Sequence, residues 1–485
     1  MVPIVLEIPS DILTPVSTFL KLRQAGYQNA FLLESADGGE QIGRYSYLGI
    51  NSYASLKSCS DKLLFSEQNK SPQIISNFNL KSIEEIIYSF KSPKMDKLPD
   101  FIGGVIGNLD YEFVEKLEKL SPRIESLKSN AVNLMFFKDI IVFDRLKDKI
   151  FIVSHVDSNE NIDDSFENAK NQIEKNLGLI RAKSEDYHIN FPVGGNESIE
   201  KDYIHMLGKE AFCAGVKKIK KHIKAGDIFQ AVLSERFSTN FSGDPFLIYR
   251  SMRAINPSPY QFFVDYGNGE CLLGASPEML VKSSSRTIQT SPIAGTRPRG
   301  DSNREDKKYE NELLRSVKEK AEHLMLVDLG RNDLGRESVP GSVQVKSFME
   351  VERFSHVMHL VSLVEGKLKK SSTPLRALAS CFPAGTLSGA PKIKAMNIIS
   401  SIEKEKRGPY GGAVISYGFS GKLNSCITIR SVYIKSKKAH FQAGAGVVAD
   451  SNPEKEYQEV LNKAKAVKKA LEYAKLISTD SGRII

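Results

Sequence analysis

Tryptophan is absent from all 485 residues. Cysteine is scarce: five residues, at 59, 213, 271, 381 and 426, with no Cys-x-x-Cys pair among them. That spacing argues against a structural zinc site and a disulfide scaffold and suits a reducing compartment, so a cytoplasmic location is expected. No stretch approaches the roughly 18 apolar residues of a membrane span, and no membrane association is expected. The opening Met1-Val-Pro-Ile-Val-Leu-Glu-Ile-Pro9 has an early acid, prolines and no basic segment, unlike a secretory signal. A one-signed charge field is missing too. The 67 basic and 58 acidic residues are interleaved, and clusters such as Lys217-Lys218 with Lys220-Lys221 are short. Nucleic-acid binding wants a concentrated basic stripe on a recognisable module, so no nucleic-acid partner is expected. Internal repeats and low-complexity tracts are also lacking.

What is present is enough apolar material, 41%, for a sizeable core. The length suggests two or three domains, or one large double-layered one. Up to about residue 190, short β-like runs alternate with turns: Ala30–Glu34, Tyr45–Gly49, Asp139–Phe143 and Lys149–Val153, with a helical pattern over Lys81–Phe90. Residues 157–200 are polar, and Phe191-Pro-Val-Gly-Gly195 reads as a linker. Domains are therefore expected over 1–190 and 191–478. In the second, helices are predicted at about 203–225, 304–327, 374–381 and 390–403. Strands are predicted at Phe229–Phe237, Tyr260–Tyr266, Cys271–Ala275, Gly412–Phe419, Cys426–Ile434 and Ala439–Val448. Runs of strands and runs of helices, without strict βαβ alternation, define an α+β class with large antiparallel sheets.

Two segments carry paired acids. After the glycine-broken run Gln442-Ala-Gly-Ala-Gly-Val-Val448, a helix starting at Pro453 sets Glu456, Glu459 and Lys463 on one face. Gly444 and Gly446 leave bare backbone beside it, where a ligand can approach closely. The helix at Lys318–Gly330 repeats the Glu-x-x-Glu spacing with Glu319 and Glu322. Two such helices can offer a hard cation one or two oxygens each, which suits magnesium. Equally, they can be ordinary solvated helix faces, and spacing alone does not choose.

A longer series of motifs resembles the chorismate-utilising enzymes, and within them the large subunit of anthranilate synthase. The matching segments are Ala225-Gly-Asp-Ile-Phe-Gln230, Asn256-Pro-Ser-Pro-Tyr260, Gly274-Ala-Ser-Pro-Glu278, Pro292-Ile-Ala-Gly-Thr296 and Ala321–Asp328. Gly385-Thr-Leu-Ser-Gly-Ala-Pro-Lys392, Tyr410-Gly-Gly412, Ile427-Thr-Ile-Arg430 and Gly444–Lys463 follow in order. The resemblance is dense over about 200–475 and looser over 30–145. It implies large antiparallel sheets packed face to face and flanked by helices.

The resemblance also implies a site. Glu322 and Glu459 are expected to bind Mg2+, with Glu319 and Glu456 acting through water. Glu278 matches a general acid for the departing 4-hydroxyl of chorismate, which requires a raised pKa. His359 matches an active-site histidine. Gly295, Thr296, Thr386, Tyr410, Arg430, Gly444, Ala445, Gly446 and Lys463 match substrate contacts, Arg430 and Lys463 facing the enolpyruvyl carboxylate. Gln230 stands where isochorismate-forming relatives have a lysine base, and Ala294 where 4-amino-4-deoxychorismate-forming relatives have a nucleophilic lysine. Both departures favour direct attack by ammonia, giving 2-amino-2-deoxyisochorismate and then anthranilate and pyruvate. Glu34, Ser35, Arg44, Ser46, Asn256, Pro257, Ser258, Tyr260 and Cys426 resemble a tryptophan feedback site, with Glu34 expected to hold the ligand's ammonium. Gln261 replaces the methionine common in relatives. A chain poor in tryptophan suits an enzyme needed when tryptophan is scarce. No segment is left over for a glutamine amidotransferase, so ammonia is expected from solution or a separate subunit, in a heterodimer or heterotetramer. Enzymes stopping at 2-amino-2-deoxyisochorismate or making 4-amino-4-deoxychorismate, and a non-catalytic chorismate or tryptophan sensor, are the alternatives.

Overall fold

The computed structural model describes residues 1–35, 43–95, 97–120, 130–158, 161–183, 203–354, 357–403 and 405–479. Its frame is two 12-stranded sheets. The first runs Val2–Pro9, Lys149–Val156, Ile140–Asp144, Tyr45–Gly49, Ala30–Glu34, Tyr260–Asp265, Cys271–Ser276, Ser431–Lys435, Lys438–Val447, Gln230–Asn240, Ile204–His205. The second runs Ile293–Pro298, Val357–Lys367, Thr287–Thr290, Met279–Ser284, Leu423–Ile427, Ala413–Gly418, Gly104–Leu109, Val132–Phe137, Ala54–Cys59, Lys62–Glu67, Gln73–Ile75. Gly389–Ala390 joins the first and Gln344–Arg353 the second. Neighbours pair antiparallel, as at Gln261↔Glu34 and Ala413↔Leu109. Strands from residues 1–190 and from 191–478 enter both sheets.

Strand alternation sorts the side chains into layers. Phe31, Val142, Phe262 and Tyr433 of the first sheet meet Ile106, Met135, Val414 and Cys426 of the second between the sheets. The opposite face of the first sheet buries Leu32, Phe263 and Ala445 against helices including Gly208–Lys224, Pro245–Ile255 and Pro453–Thr479. The outer face of the second packs Leu280 and Ile415 with Val327 and Leu334 of helix Val317–Gly335 and Leu378 of helix Pro374–Cys381.

Several expected elements change at points with a physical cause. The helix expected over 304–327 is two, Asn303–Arg315 and Val317–Gly335, because Ser316 is extended (ψ 110°) and its hydroxyl caps the second by accepting from the Glu319 N–H. The helix expected from 203 starts at Gly208. Before it, Ile204–His205 pairs with Phe237–Ser238, and the buried Glu235 carboxylate takes the N–H groups of Leu207 and Gly208 at 2.9 and 2.7 Å. Within the polar 157–200 stretch a helix, Ile162–Arg181, buries Ala169, Ile173 and Ile180 at helical spacing. Phe191–Gly195 lies outside the described residues.

The most consequential change falls at Cys426–Ile434. One strand was expected there; the chain instead leaves the second sheet after Ile427 and enters the first at Ser431. Arg430 sits on this crossing with φ +48°, a left-handed conformation unusual for an arginine. A second crossing lies beside it: the chain leaves the first sheet at Ser276 and enters the second at Met279, with Glu278 between. The Ile427 N–H donates to the Glu278 carbonyl at 3.0 Å, and the Ala275 N–H to the Arg430 carbonyl at 3.1 Å, so the crossings are stitched together.

Beneath them lies a wholly buried ion pair, Arg407–Glu403, at 2.7 Å. The guanidinium also donates to the carbonyls of Leu387 and Val232, and Glu403 accepts from the N–H and hydroxyl of Ser234. Removing one member of such a pair strands the other charge. Glu403→Ala is expected to lower stability by about 3–5 kcal/mol, read as a lower urea midpoint. The exposed Arg331–Asp328 pair should be worth less than about 1 kcal/mol in the same assay.

Candidate active site

Glu278 is buried, and the Thr386 hydroxyl donates to its Oε1 at 3.0 Å. Burial pushes its carboxyl up to about 8, against the opposing pull of the Thr386 hydrogen bond and of Lys463 and Arg430. It is therefore a carboxylic acid at neutral pH, able to give a proton. Thr386 reaches it from the short 3-10 turn Gly385–Leu387, whose last carbonyl is held by Arg407. Burial lowers the pKa of Arg430, and Glu278 opposes that shift. The Arg430 guanidinium meets Asn256 Oδ1 at 3.4 Å.

Strand Lys438–Val447 turns His440, Gln442, Gly444 and Gly446 away from the helix-side core that holds Phe441, Ala443, Ala445 and Val447. A β-carbon on Gly444 would stand 2.8 Å from the Tyr410 hydroxyl and 3.1 Å from the Leu233 carbonyl; one on Gly446 would stand 2.5 Å from Gln230 Nε2. Both positions thus need glycine for Tyr410 and Gln230 to approach the strand this closely. Ala445, pointing into the helix-side core, can offer this face of the strand only backbone. Lys463 bonds the Gly444 carbonyl at 2.9 Å and pairs with Glu459 at 2.8 Å. Gln230, beside Gly446, is buried with its Oε1 unpartnered.

On the opposite side, His359 is buried and its Nδ1 donates to the Gly295 carbonyl at 2.7 Å, with the Thr296 hydroxyl 3.2 Å away. Burial holds the imidazole pKa at about 4, so the ring is neutral, with its proton on Nδ1 and Nε2 left as an acceptor. Gly295 adopts φ +70°, and a β-carbon there would press on Leu313 and Glu319. That places Glu319 against the same wall, where it pairs with Arg297 at 3.4 Å.

The paired acids of the two helices share one field. Burial raises the Glu322 carboxyl, and Glu319 and Glu459 raise it further; Glu456 is raised by burial and then by Glu459. Converging carboxylates that repel one another form a donor set that a hard cation relieves. Among the described residues no group of three ligand side chains is preformed.

The residues expected for an inhibitor site divide. A cavity of about 200 Å³ between the sheets is walled by Glu34, Ser35, Tyr260 and Cys426. Tyr45, Tyr47, Phe101 and Phe262, not among the residues expected to contact an inhibitor, add its aromatic walls. Arg44, Ser46, Asn256, Pro257 and Ser258 do not line it. Arg44 is engaged with Asp144 at 2.9 and 2.6 Å, and Ser46 accepts from Arg145. Asn256 and Ser258 hydrogen-bond each other near Ala275 and Arg430, on the side of the active site. The Glu34 carboxylate is already bonded by Tyr249 at 2.7 Å, Arg253 at 2.9 Å and Arg145 at 3.1 Å, so it is not a free partner for an ammonium. Arg145, which also donates to the Ser35 carbonyl, was not anticipated: nothing local in Asp144-Arg-Leu146 points to contacts a hundred residues away. Gln261 faces the helix side with Phe263, and only its backbone can border the cavity.

Residues 28–469 match the family described as chorismate binding enzyme. The chain is 43% identical to anthranilate synthase component 1 of Acetivibrio thermocellus over 480 residues, 98% of this chain and 96% of the relative. It is 41% identical to that of Aquifex aeolicus over 477 residues, 98% and 95% of the two chains. The crystal structure of anthranilate synthase component I from Streptococcus pneumoniae superposes with a TM-score of 0.78 at 33% identity, covering 95% of this chain and 99% of that one. The menaquinone-specific isochorismate synthase of Escherichia coli, at 18% identity and a TM-score of 0.71 over 97% and 94% of the two chains, shares the fold. The chain belongs to the chorismate-binding enzymes. Gly444→Ala is accordingly expected to weaken chorismate binding at least about tenfold, roughly 1.4 kcal/mol, by calorimetry, and to lower the thermal transition as well, because its β-carbon would press on the Tyr410 hydroxyl and the Leu233 carbonyl.

Proposed function

We propose that the chain is the aminating component of an anthranilate synthase, converting chorismate and ammonia to anthranilate and pyruvate. The observation that carries this reading is the buried Glu278, neutral at pH 7 and within the field of Arg430 and Lys463, the latter bonded to the bare backbone of Gly444. Near full-length identity of about 40% to proteins named anthranilate synthase component 1 supports the same reaction. Magnesium, held by Glu322 and Glu459 with Glu319 and Glu456 behind, would bind the ring carboxylate of chorismate and draw electron density from the ring.

The chain's own residues do the rest. Arg430, Lys463, the Tyr410 hydroxyl and the Gly444–Gly446 backbone hold the enolpyruvyl carboxylate. Glu278 protonates the 4-hydroxyl as the C4–O bond breaks, and ammonia bonds at C2 to give 2-amino-2-deoxyisochorismate. Gln230, an amide where a lysine base would activate water, leaves ammonia as the better nucleophile. Ala294 offers no amine for a covalent route. Neutral His359, with Nε2 as acceptor, is placed to take a proton during pyruvate loss and aromatisation. Ammonia comes from a separate glutamine amidotransferase subunit, in a cytoplasmic heteromer serving tryptophan synthesis. Tryptophan is the feedback inhibitor, bound between the sheets with its indole among Tyr45, Tyr47, Phe101 and Phe262. Glu34, saturated by Tyr249, Arg253 and Arg145, fixes the rim there instead of pairing with the ligand's ammonium.

The purified chain, given chorismate, magnesium and ammonium at alkaline pH, should produce fluorescent anthranilate, abolished by EDTA and suppressed by tryptophan. Accumulation of 2-amino-2-deoxyisochorismate or 4-amino-4-deoxychorismate would replace this reading. Glu322→Gln and Glu459→Gln should each cut activity at least about 100-fold while the protein stays folded; full activity in either would refute the metal assignment.

The acid form of Glu278 prevails below about pH 8 and is lost as pH rises through that value. At fixed free ammonia, kcat/KM should fall on the alkaline side with a midpoint near 8. The Thr386 hydrogen bond favours the carboxylate, so Thr386→Val should move that limb to higher pH.

A further inference from the structure

Amination takes one proton at C4, where the hydroxyl leaves as water, and releases one from the attacking nitrogen. The count closes only if a proton returns to the Glu278 carboxylate after each cycle. With substrate seated over Glu278, its side toward Arg430 and Lys463 would be taken by the leaving group and those two cations.

Behind Glu278 lies a cavity of about 40 Å³. Its polar walls are Glu278, Thr386, Thr290, Ser291 and Asp333. The volume accommodates roughly one to three waters. Asp333 is buried and accepts from Lys392 Nζ at 2.7 Å; the same ammonium also donates to the Cys381 carbonyl at 3.2 Å. Arg336, half-exposed, is the other charge facing Asp333. The Cys381 thiol, pushed up to about 12 by burial, stays neutral in the wall.

We propose that this cavity is the route by which Glu278 regains its proton, with Asp333, in its wall, and Lys392, paired to Asp333, as the relay that supplies it. A water in the cavity gives its proton to the Glu278 carboxylate as it takes one from the Asp333–Lys392 pair, which recovers its own from solvent. No bond other than O–H and N–H changes. Asp333 and Lys392 touch neither substrate nor metal; they act through Glu278. The proposal rests on the reading of Glu278 as general acid.

A purely structural clamp between helices Val317–Gly335 and Lys392–Glu403 would give a different signature from a relay, and the solvent isotope effect separates them. In the full-length chain assayed with ammonium, Asp333→Asn should lower kcat at least about fivefold, leave the chorismate KM within about twofold, and enlarge the solvent deuterium isotope effect on kcat. A normal kcat, or a lost kcat with an unchanged isotope effect, overturns the route. If Asp333→Asn does not fold, the near-isosteric Thr290→Val should show a smaller rise in the same isotope effect, and its absence counts against the route equally. Glu278→Gln separates the two ideas. Full activity there removes the general acid and the relay with it; an inactive Glu278→Gln beside an unchanged isotope effect in Asp333→Asn removes the relay alone.

Discussion

The buried pair Arg407–Glu403 is the constraint on which the site's geometry rests. A charge pair taken wholly out of water persists only when its remaining lone pairs and protons are satisfied, and here each is used to hold a different part of the fold. Glu403 fixes Ser234 on the first sheet, which in turn takes the Gln442 amide. Arg407 fixes the carbonyl of Leu387 and hence the turn that carries Thr386. Its own backbone N–H and that of Gly408 are taken by Glu112, just beyond strand Gly104–Leu109 of the second sheet. The guanidinium lies 4.5 Å from the centre of the Tyr111 ring and 5.8 Å from that of Tyr410. One desolvated ion pair thereby sets the spacing of two sheets, a hydroxyl beside Glu278 and a hydroxyl beside Gly444.

The two crossings explain why Glu278 and Arg430 have their properties. A residue inside a strand has its backbone committed to two neighbours and its side chain to one face. A residue where the chain changes sheets escapes both commitments. Arg430 can take φ +48° and bring a guanidinium to a buried place, while its carbonyl ties down the neighbouring crossing. Glu278 reaches the same place from the other crossing. Burial then acts on both, raising the acid's pKa and lowering the cation's, and each moderates the other's shift.

Much of this was legible in the chain, and the illegible parts share a cause. Strands Ala30–Glu34 and Tyr45–Gly49 and helix Pro374–Cys381 have the bounds expected, because local alternation and a Thr-Pro start specify them without outside help. The break at Thr428–Arg430 was hidden because Ile427-Thr-Ile-Arg-Ser-Val432 continues a strand-like pattern; only the need to change sheets interrupts it. Helix Ile162–Arg181 was hidden because only a narrow stripe of it is buried. In the site, the Glu-x-x-Glu pairs showed in the spacing, whereas Glu278 and Arg430 stood out only through the resemblance. Arg407, Arg145 and Asp333 were silent. Single charged residues acquire their meaning from partners brought close by folding, and the sequence around them records none of it.

The strand order also dictates how the chain must come to be folded. Ala30–Glu34 pairs with Tyr260–Asp265, and Gly104–Leu109 pairs with Ala413–Gly418. During synthesis, each sheet therefore waits with an open edge for a strand made some two to three hundred residues later. Such long-range pairing slows folding, and unpaired edges invite association with other chains. An architecture that places its chemistry at sheet crossings thus leaves the nascent chain dependent on its second half, and on whatever shields those edges until it arrives.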